Sequence, residues 1–161
     1  MPNKHKEKLN PEKINIVNIL SLLLGFSAAL TTYVISSYFK ETSGSDNVAI
    51  YYILTYIIIL LILLNLHKVV KLVGKTIVFF GCLFFFAISA CLLFYLPISA
   101  LGAGILIFNI IASALCFVSK DIILESYSTD KMSGRIRGLH LTLTNLGFIL
   151  APFIAMQILA I

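Results

Sequence analysis

The chain has 161 residues, of which 60% are hydrophobic and 12% are charged, and its formal net charge is +5. A typical soluble domain is about 45–50% apolar and about 25% charged, so this composition excludes a soluble enzyme or binding domain. It also excludes disorder, because disordered segments are poor in apolar residues. The basic residues lie in short runs between long apolar stretches, which is typical of membrane topology signals and not of a nucleic-acid interface. The composition therefore indicates an integral membrane protein whose main partner is the lipid bilayer.

A basic tail, residues 1–13, precedes five segments that are long enough and apolar enough to cross a bilayer. None of the five contains Lys, Arg, Asp or Glu, and none shows the strict alternation of a barrel strand. Only helices then satisfy the backbone in lipid. We predict an all-α membrane protein with a transmembrane domain over 14–161, whose spans are 14–39, 48–66, 76–96, 101–118 and 139–161.

Span 1 resembles a signal peptide at its basic start, but its apolar character continues to Tyr38, beyond the usual length. We therefore expect an uncleaved helix. Uncharged polar residues occur inside spans 1 and 4, where they either bond neighbouring helices or line a cavity for a solute. The candidates for a cavity lining are Ser27, Thr31, Asn109 and Ser113.

The segments 67–75 and 119–138 separate spans 2 and 3 and spans 4 and 5, and both are basic. Together with the N-terminal tail they hold eleven of the twelve Lys and Arg residues, and Lys40 is the exception. Because cytoplasmic loops are enriched in Lys and Arg, we predict that both segments and the N-terminus are cytoplasmic.

The 119–138 segment also carries two acids. Asp121 and Glu125 are four residues apart, so they share one face of a helical extension of span 4. Guanidinium groups pair bidentately with carboxylates, although simple anchoring of the helix end is an equal alternative for the arginines. Our hypothesis is a cytoplasmic gate in which these acids pair with a basic residue in one of two access states. The basic candidates are Lys71, Lys75, Arg135 and Arg137.

The sequence offers little for catalysis. No nucleophile has an evident base partner, and no acid pair or metal-ligand cluster lies inside a span. The histidines lie in the tail or near span ends, and we predict interfacial positions for His67 and His140. An enzyme is not expected, and neither is a metal or another cofactor.

The residues around the start of span 5 resemble the major facilitator superfamily of secondary transporters. The Arg137-Gly138 pair matches the end of the family's loop between spans 4 and 5. The run from Asn145 to Pro152 is similar to the span-5 motif Gly-x-x-x-Gly-Pro-x-x-Gly-Gly, in which Gly147 and Pro152 match. In the loop between spans 2 and 3, Gly74-Lys75 matches the later Gly-Arg of the family signature, and Lys71 stands at its Asp.

The resemblance implies a plasma-membrane transporter that moves a small solute by alternating access, with or without a coupling ion. Each half of such a protein consists of two inverted three-span repeats. Spans 1–3 would be one repeat and spans 4–5 most of the next. The chain ends inside an apolar span, so we expect a fragment whose C-terminal half is missing. The alternative is a self-standing five-span scaffold or partner subunit without transport activity of its own.

Overall fold

Five α-helices follow one another along the chain. The computed structural model describes residues 11–44, 47–127 and 133–159, and no strand occurs within those ranges. All five helices are long and apolar enough to cross a membrane. The expected all-α class with five such helices is therefore confirmed, and it is compatible with a multi-pass membrane protein. The helices are α1 (Pro11–Ser43), α2 (Ala49–Val73), α3 (Lys75–Tyr95), α4 (Ala100–Tyr127) and α5 (Ser133–Leu159).

The helices continue beyond several of the apolar spans. In the segment 67–75, α2 extends to Val73 and α3 begins at Lys75. In the segment 119–138, α4 extends to Tyr127 and α5 begins at Ser133, while residues 128–132 lie outside the described residues. A charged side chain marks the edge of the hydrocarbon layer, but the helical backbone bonds internally in water as well as in lipid. The two charged segments are therefore mainly polar helix ends.

Two short connections join α2 to α3 and α3 to α4. Gly74 separates α2 from α3 with φ 90° and ψ 147°, a conformation that is strained for other residues. Its amide donates to the Val70 carbonyl at 3.0 Å. The connection from α3 to α4 contains Pro97, whose carbonyl accepts a hydrogen bond from the Tyr38 hydroxyl at 3.4 Å. In the same turn Ser99 Oγ accepts the Gly102 amide at 3.2 Å.

The chain divides into two compact units. The central unit comprises the described residues from Thr32 to Ser119. Its core contains Phe39, which stacks on Tyr51 at a centroid distance of 4.6 Å and meets Tyr52 edge-on at 5.7 Å. The buried members of this core are Ile35, Tyr38, Phe39, Ala103 and Leu106.

The terminal unit comprises the described residues up to Thr31 together with those from Lys120 onward. The first part of α1, the end of α4 and all of α5 thus belong to it. Its hydrophobic cluster consists of Ile14, Val17, Leu124 and Ile136. On the outside of α1, large apolar side chains such as Ile16 and Ile19 are exposed, as expected for a surface in contact with lipid.

Candidate functional site

A buried histidine connects three helices of the terminal unit. His140 on α5 is only 2% exposed. Its Nδ1 lies 2.7 Å from the Oγ of Ser21 on α1, and its Nε2 lies 2.9 Å from Oδ1 of Asp121 on α4. Ser21 is 0% exposed, whereas the Asp121 side chain is 53% exposed. We call these three residues the His140 chain, which runs from the buried interior of the unit to an exposed carboxylate.

The sequence of α5 places His140 on a face of small and polar residues. The residues at helical spacing along this face are all buried, and they are His140, Thr144, Gly147 and Ala151. In membrane proteins such residues face other helices, because small side chains allow close approach and polar ones find partners there. The same principle explains the matching face of α1, where Asn18, Ser21 and Gly25 are buried.

Two glycines bring the backbones of α1 and α5 into contact. A Cβ atom at Gly147 would lie 2.5 Å from the Leu22 carbonyl oxygen and 2.6 Å from the Phe26 nitrogen. A Cβ atom at Gly25 would collide with the Thr144 carbonyl oxygen. The two helices run in the same direction, since Ser21 meets His140 and Gly25 meets Thr144. This close approach allows the short Ser21 side chain to reach the imidazole ring.

The Ser21 hydroxyl has two acceptors within reach but only one proton. Its Oγ lies 2.6 Å from the Val17 carbonyl oxygen in addition to its contact with His140. If the hydroxyl donates to Val17, then His140 Nδ1 must carry a proton and donate it to Ser21. An ionised Asp121 is an acceptor only, so Nε2 must carry a proton as well. A positively charged His140 ring therefore satisfies all three hydrogen bonds at once.

A second charged pair lies beside the His140 chain. Arg137 Nη2 is 3.7 Å from Glu125 Oε2, and both side chains are exposed. Exposed pairs of this kind contribute only about 0.2–1 kcal/mol. Both residues line a cavity of about 60 Å³ together with Asp121 and His140. The cavity is large enough to admit water to the histidine–carboxylate contact.

Within the terminal unit, the structure pairs two of the predicted gate residues. Glu125 and Arg137 form the ion pair described above, and Asp121 contacts His140; among the described residues of this unit, no lysine or arginine forms an ion pair with Asp121. Arg135 and Gly138 are exposed on α5. The other predicted gate residues belong to the central unit, where Lys71 lies in the last turn of α2, Gly74 follows that helix and Lys75 begins α3.

The span-5 motif residues differ in their surroundings. Gly147 is buried against α1, whereas Asn145 is exposed. Pro152 lies inside α5 and is half-buried. Because proline has no amide hydrogen, the helical bond at that position is missing.

The predicted cavity-lining residues are divided between the two units, with Ser27 and Thr31 in the terminal unit and Asn109 and Ser113 in the central unit. Thr31 Oγ1 donates to the Ser27 carbonyl at 3.1 Å within α1, and Ser27, Thr31 and Ser113 are half-buried. Asn109 is buried in the central unit, where its Nδ2 donates to Ser89 Oγ at 2.8 Å. This bond joins α4 to α3, which is the helix–helix alternative that the sequence left open.

His140 and its partner Ser21 are not among the site residues predicted from the sequence. His140 is buried between helices, whereas His67 is exposed, and the interfacial depth of both stays a prediction. The closeness of His140 to the charged segment gave no sign of this burial. A signal was nevertheless present in the row of small and polar residues that begins at His140 and recurs every helical turn or two.

No protein-family model, no curated protein and no solved structure matches this chain.

Proposed function

We propose that the chain is part of a secondary active transporter, similar to the major facilitator superfamily, that moves a small solute across the plasma membrane by alternating access. The observation that carries the proposal is the His140 chain, whose histidine is buried between helices apolar enough to span a membrane. Ionisable side chains at such positions are costly, and in membrane proteins they mark substrate pathways and proton relays. In a scaffold the same bonds would serve only to hold the three helices together.

The charged contacts around this chain support a gate that can open at low cost. The Asp121–His140 contact and the Glu125–Arg137 pair both join α4 to α5. The Asp121–His140 contact is 2.9 Å long, and its carboxylate is half-exposed. The Glu125–Arg137 contact is 3.7 Å long, and both of its side chains are exposed. We propose that these contacts close one access state at the cytoplasmic ends of α4 and α5, with the N-terminus on the same side.

A serine, a histidine and an aspartate are hydrogen-bonded in this order in many hydrolases as well. The exposure of the three side chains here nevertheless favours transport. A nucleophilic hydroxyl must reach its substrate, and its aspartate is normally the buried member. In this chain Ser21 is fully buried and Asp121 is the exposed member. The arrangement therefore fits the passage of a proton between solvent and interior better than attack on a substrate.

Alternating access in the resembled family takes place between two six-span halves. The proposal therefore includes a second helical half supplied by the same protein. The rival proposal, a five-span scaffold or partner subunit, requires no such half and no solute. Uptake by the native gene product separates the two.

The test is uptake of labelled sugars, amino acids and nucleosides by cells that express the native gene product. We expect saturable uptake of one of these classes, and a several-fold change in its rate in the Asp121→Asn/Glu125→Gln double variant at equal expression. Glu41→Gln is the matched control because Glu41 is an exposed acid at the end of α1 and is not one of the proposed gate residues. Uptake unchanged by the double variant would contradict the gate, and absence of uptake across the panel would favour the scaffold.

A further inference from the structure

The His140 chain has the geometry of a proton-binding site. We propose that His140 binds a proton that exchanges with solvent through Asp121, and that loss of this proton weakens the contact between α4 and α5. The proton site itself rests only on the contacts of the terminal unit. Its consequence for transport, as a coupling or gating proton, rests on the proposed function.

With the proton bound, the ring joins all three helices. Nδ1–H donates to Ser21 at 2.7 Å, Nε2–H donates to Asp121 at 2.9 Å, and the Ser21 hydroxyl donates to Val17 at 2.6 Å. The ring charge lies directly beside the carboxylate charge. Hydrogen bonds between charged groups are stronger than neutral ones, so this state holds α4 against α5 firmly.

Loss of the proton removes one of these three bonds. The ring proton nearest solvent is the one on Nε2, because Asp121 is half-exposed and lines the cavity, whereas Ser21 is fully buried. The ring gives one proton through the Asp121 carboxylate to water. The hydrogen that remains lies on Nε2, because an ionised carboxylate accepts a bond only from a ring N–H. Nδ1 then accepts from the Ser21 hydroxyl, which gives up its bond to Val17. The charge of the ring is lost, so the bond between α4 and α5 becomes weaker.

The charged side chains beside His140 come from α4 and α5. Asp121, Glu125 and Arg137 line the cavity beside His140. The charges of Glu125 and Arg137 neutralise each other. The charge that changes on titration is therefore the one shared by His140 and Asp121. The other charged side chains on the described helices of this unit are Glu12, Lys13, Lys120 and Arg135.

The test is nitrogen NMR of the native protein in phosphatidylcholine nanodiscs, with the histidine rings labelled with ¹⁵N. The ring shifts distinguish the charged ring from each neutral tautomer. The spectra are recorded on both sides of pH about 6.5, the ordinary midpoint of histidine. Signals are assigned with His140→Gln and with His67→Gln, the same substitution at an exposed histidine.

We expect His140 to be charged on the acidic side and neutral with hydrogen on Nε2 on the basic side. In Asp121→Asn the Nε2 signal should change more than the Nδ1 signal, because Nε2 is the nitrogen that contacts Asp121. Asp121 is half-exposed, so this variant should fold. A ring that stays neutral throughout, or whose spectra are identical in both proteins, would overturn the proton site. A neutral ring with hydrogen on Nδ1 would overturn the bond between the neutral ring and Asp121.

Uptake measurements separate this inference from the proposed function. Wild-type uptake should vary several-fold with pH, and His140→Gln should abolish that variation while His67→Gln retains it. A titrating His140 in a protein without uptake would refute the transporter but not the proton site. Uptake with a permanently neutral His140 would refute the proton site but not the transporter.

Discussion

Asn109 illustrates how a single polar residue joins two apolar helices. Its Nδ2 donates to Ser89 Oγ and, at 3.2 Å, to the Phe86 carbonyl. Its Oδ1 has no hydrogen-bond partner within the part of the chain that the structure describes. The side chain thus holds α4 against α3 through its amide hydrogens alone.

The contribution of this contact can be measured with Ser89→Ala. We expect a loss of about 0.6 kcal/mol in unfolding free energy, the typical value of a hydrogen bond between membrane helices. The loss should be no larger because Asn109 retains the Phe86 carbonyl as an acceptor. Denaturation in mixed micelles provides the measurement, with Ser113→Ala, half-buried one turn beyond Asn109, as the control. Equal effects of the two variants would show that the Asn109–Ser89 bond contributes no measurable stability.

At the level of single residues, the sequence predicts which residues share a face of one helix better than it predicts contacts between distant helices. The four-residue spacing of Asp121 and Glu125 predicts that they share a helix face, and in the structure both contact residues of α5. Ser21 and His140 are 119 positions apart, so no periodicity connects them. Their meeting depends on how α1 packs against α5, which a pattern within one helix does not specify.

The packing of α1 on α5 depends on the absence of side chains at two positions. Gly25 and Gly147 each lie against the backbone of the opposite helix. A backbone cannot move aside as a flexible side chain can, so this contact tolerates no added atom without a shift of the helices. The same contact sets the distance between Ser21 and His140.

We expect Gly147→Ala to lower stability by about 1–3 kcal/mol, the usual cost of overpacking a close contact. Gly138→Ala is the matched control on the same helix, because a Cβ atom there meets nothing within 4 Å. Alanine is the better helix former by about 1 kcal/mol, so the control should be neutral or stabilising. Thermal unfolding in one detergent compares the two variants. An equal change in Tm for both would argue against the close contact.

At the level of elements, apolar length predicts the number of helices but not their ends. All five apolar spans correspond to helices, yet α4 continues through Asp121 and Glu125 to Tyr127. The physical reason is that the length of an apolar segment reflects the thickness of the bilayer, whereas the ends of a helix depend on local backbone geometry. Gly74 shows the difference, since its positive φ ends α2 although basic residues lie on both sides.

For the whole molecule, the distribution of basic residues predicts the orientation in the membrane. Ser43 at the end of α1 and Lys68 near the end of α2 are both exposed. The positive-inside rule places Ser43 outside the cell and Lys68 in the cytoplasm. A membrane-impermeant maleimide should therefore label Ser43→Cys but not Lys68→Cys in intact cells.

The control for this labelling is the unmodified chain, whose Cys82, Cys91 and Cys116 lie within helices long enough to span the membrane. Lys68→Cys should become reactive only after the cells are permeabilised. The reverse pattern would invert the orientation and place the proposed gate on the outer side.

The turn between α3 and α4 has a consequence for the synthesis of the protein. Only Leu96, Pro97, Ile98 and Ser99 separate the two helices, and none of them is charged. Hydrogen bonds from Tyr38 and Gly102 satisfy polar atoms of the turn. Transfer of this turn across the bilayer moves no charge and leaves few unsatisfied polar groups. Charged groups and unsatisfied polar groups are the two main costs of crossing. The nascent chain can therefore insert α3 and α4 together as a helical hairpin, without translocating a charged loop.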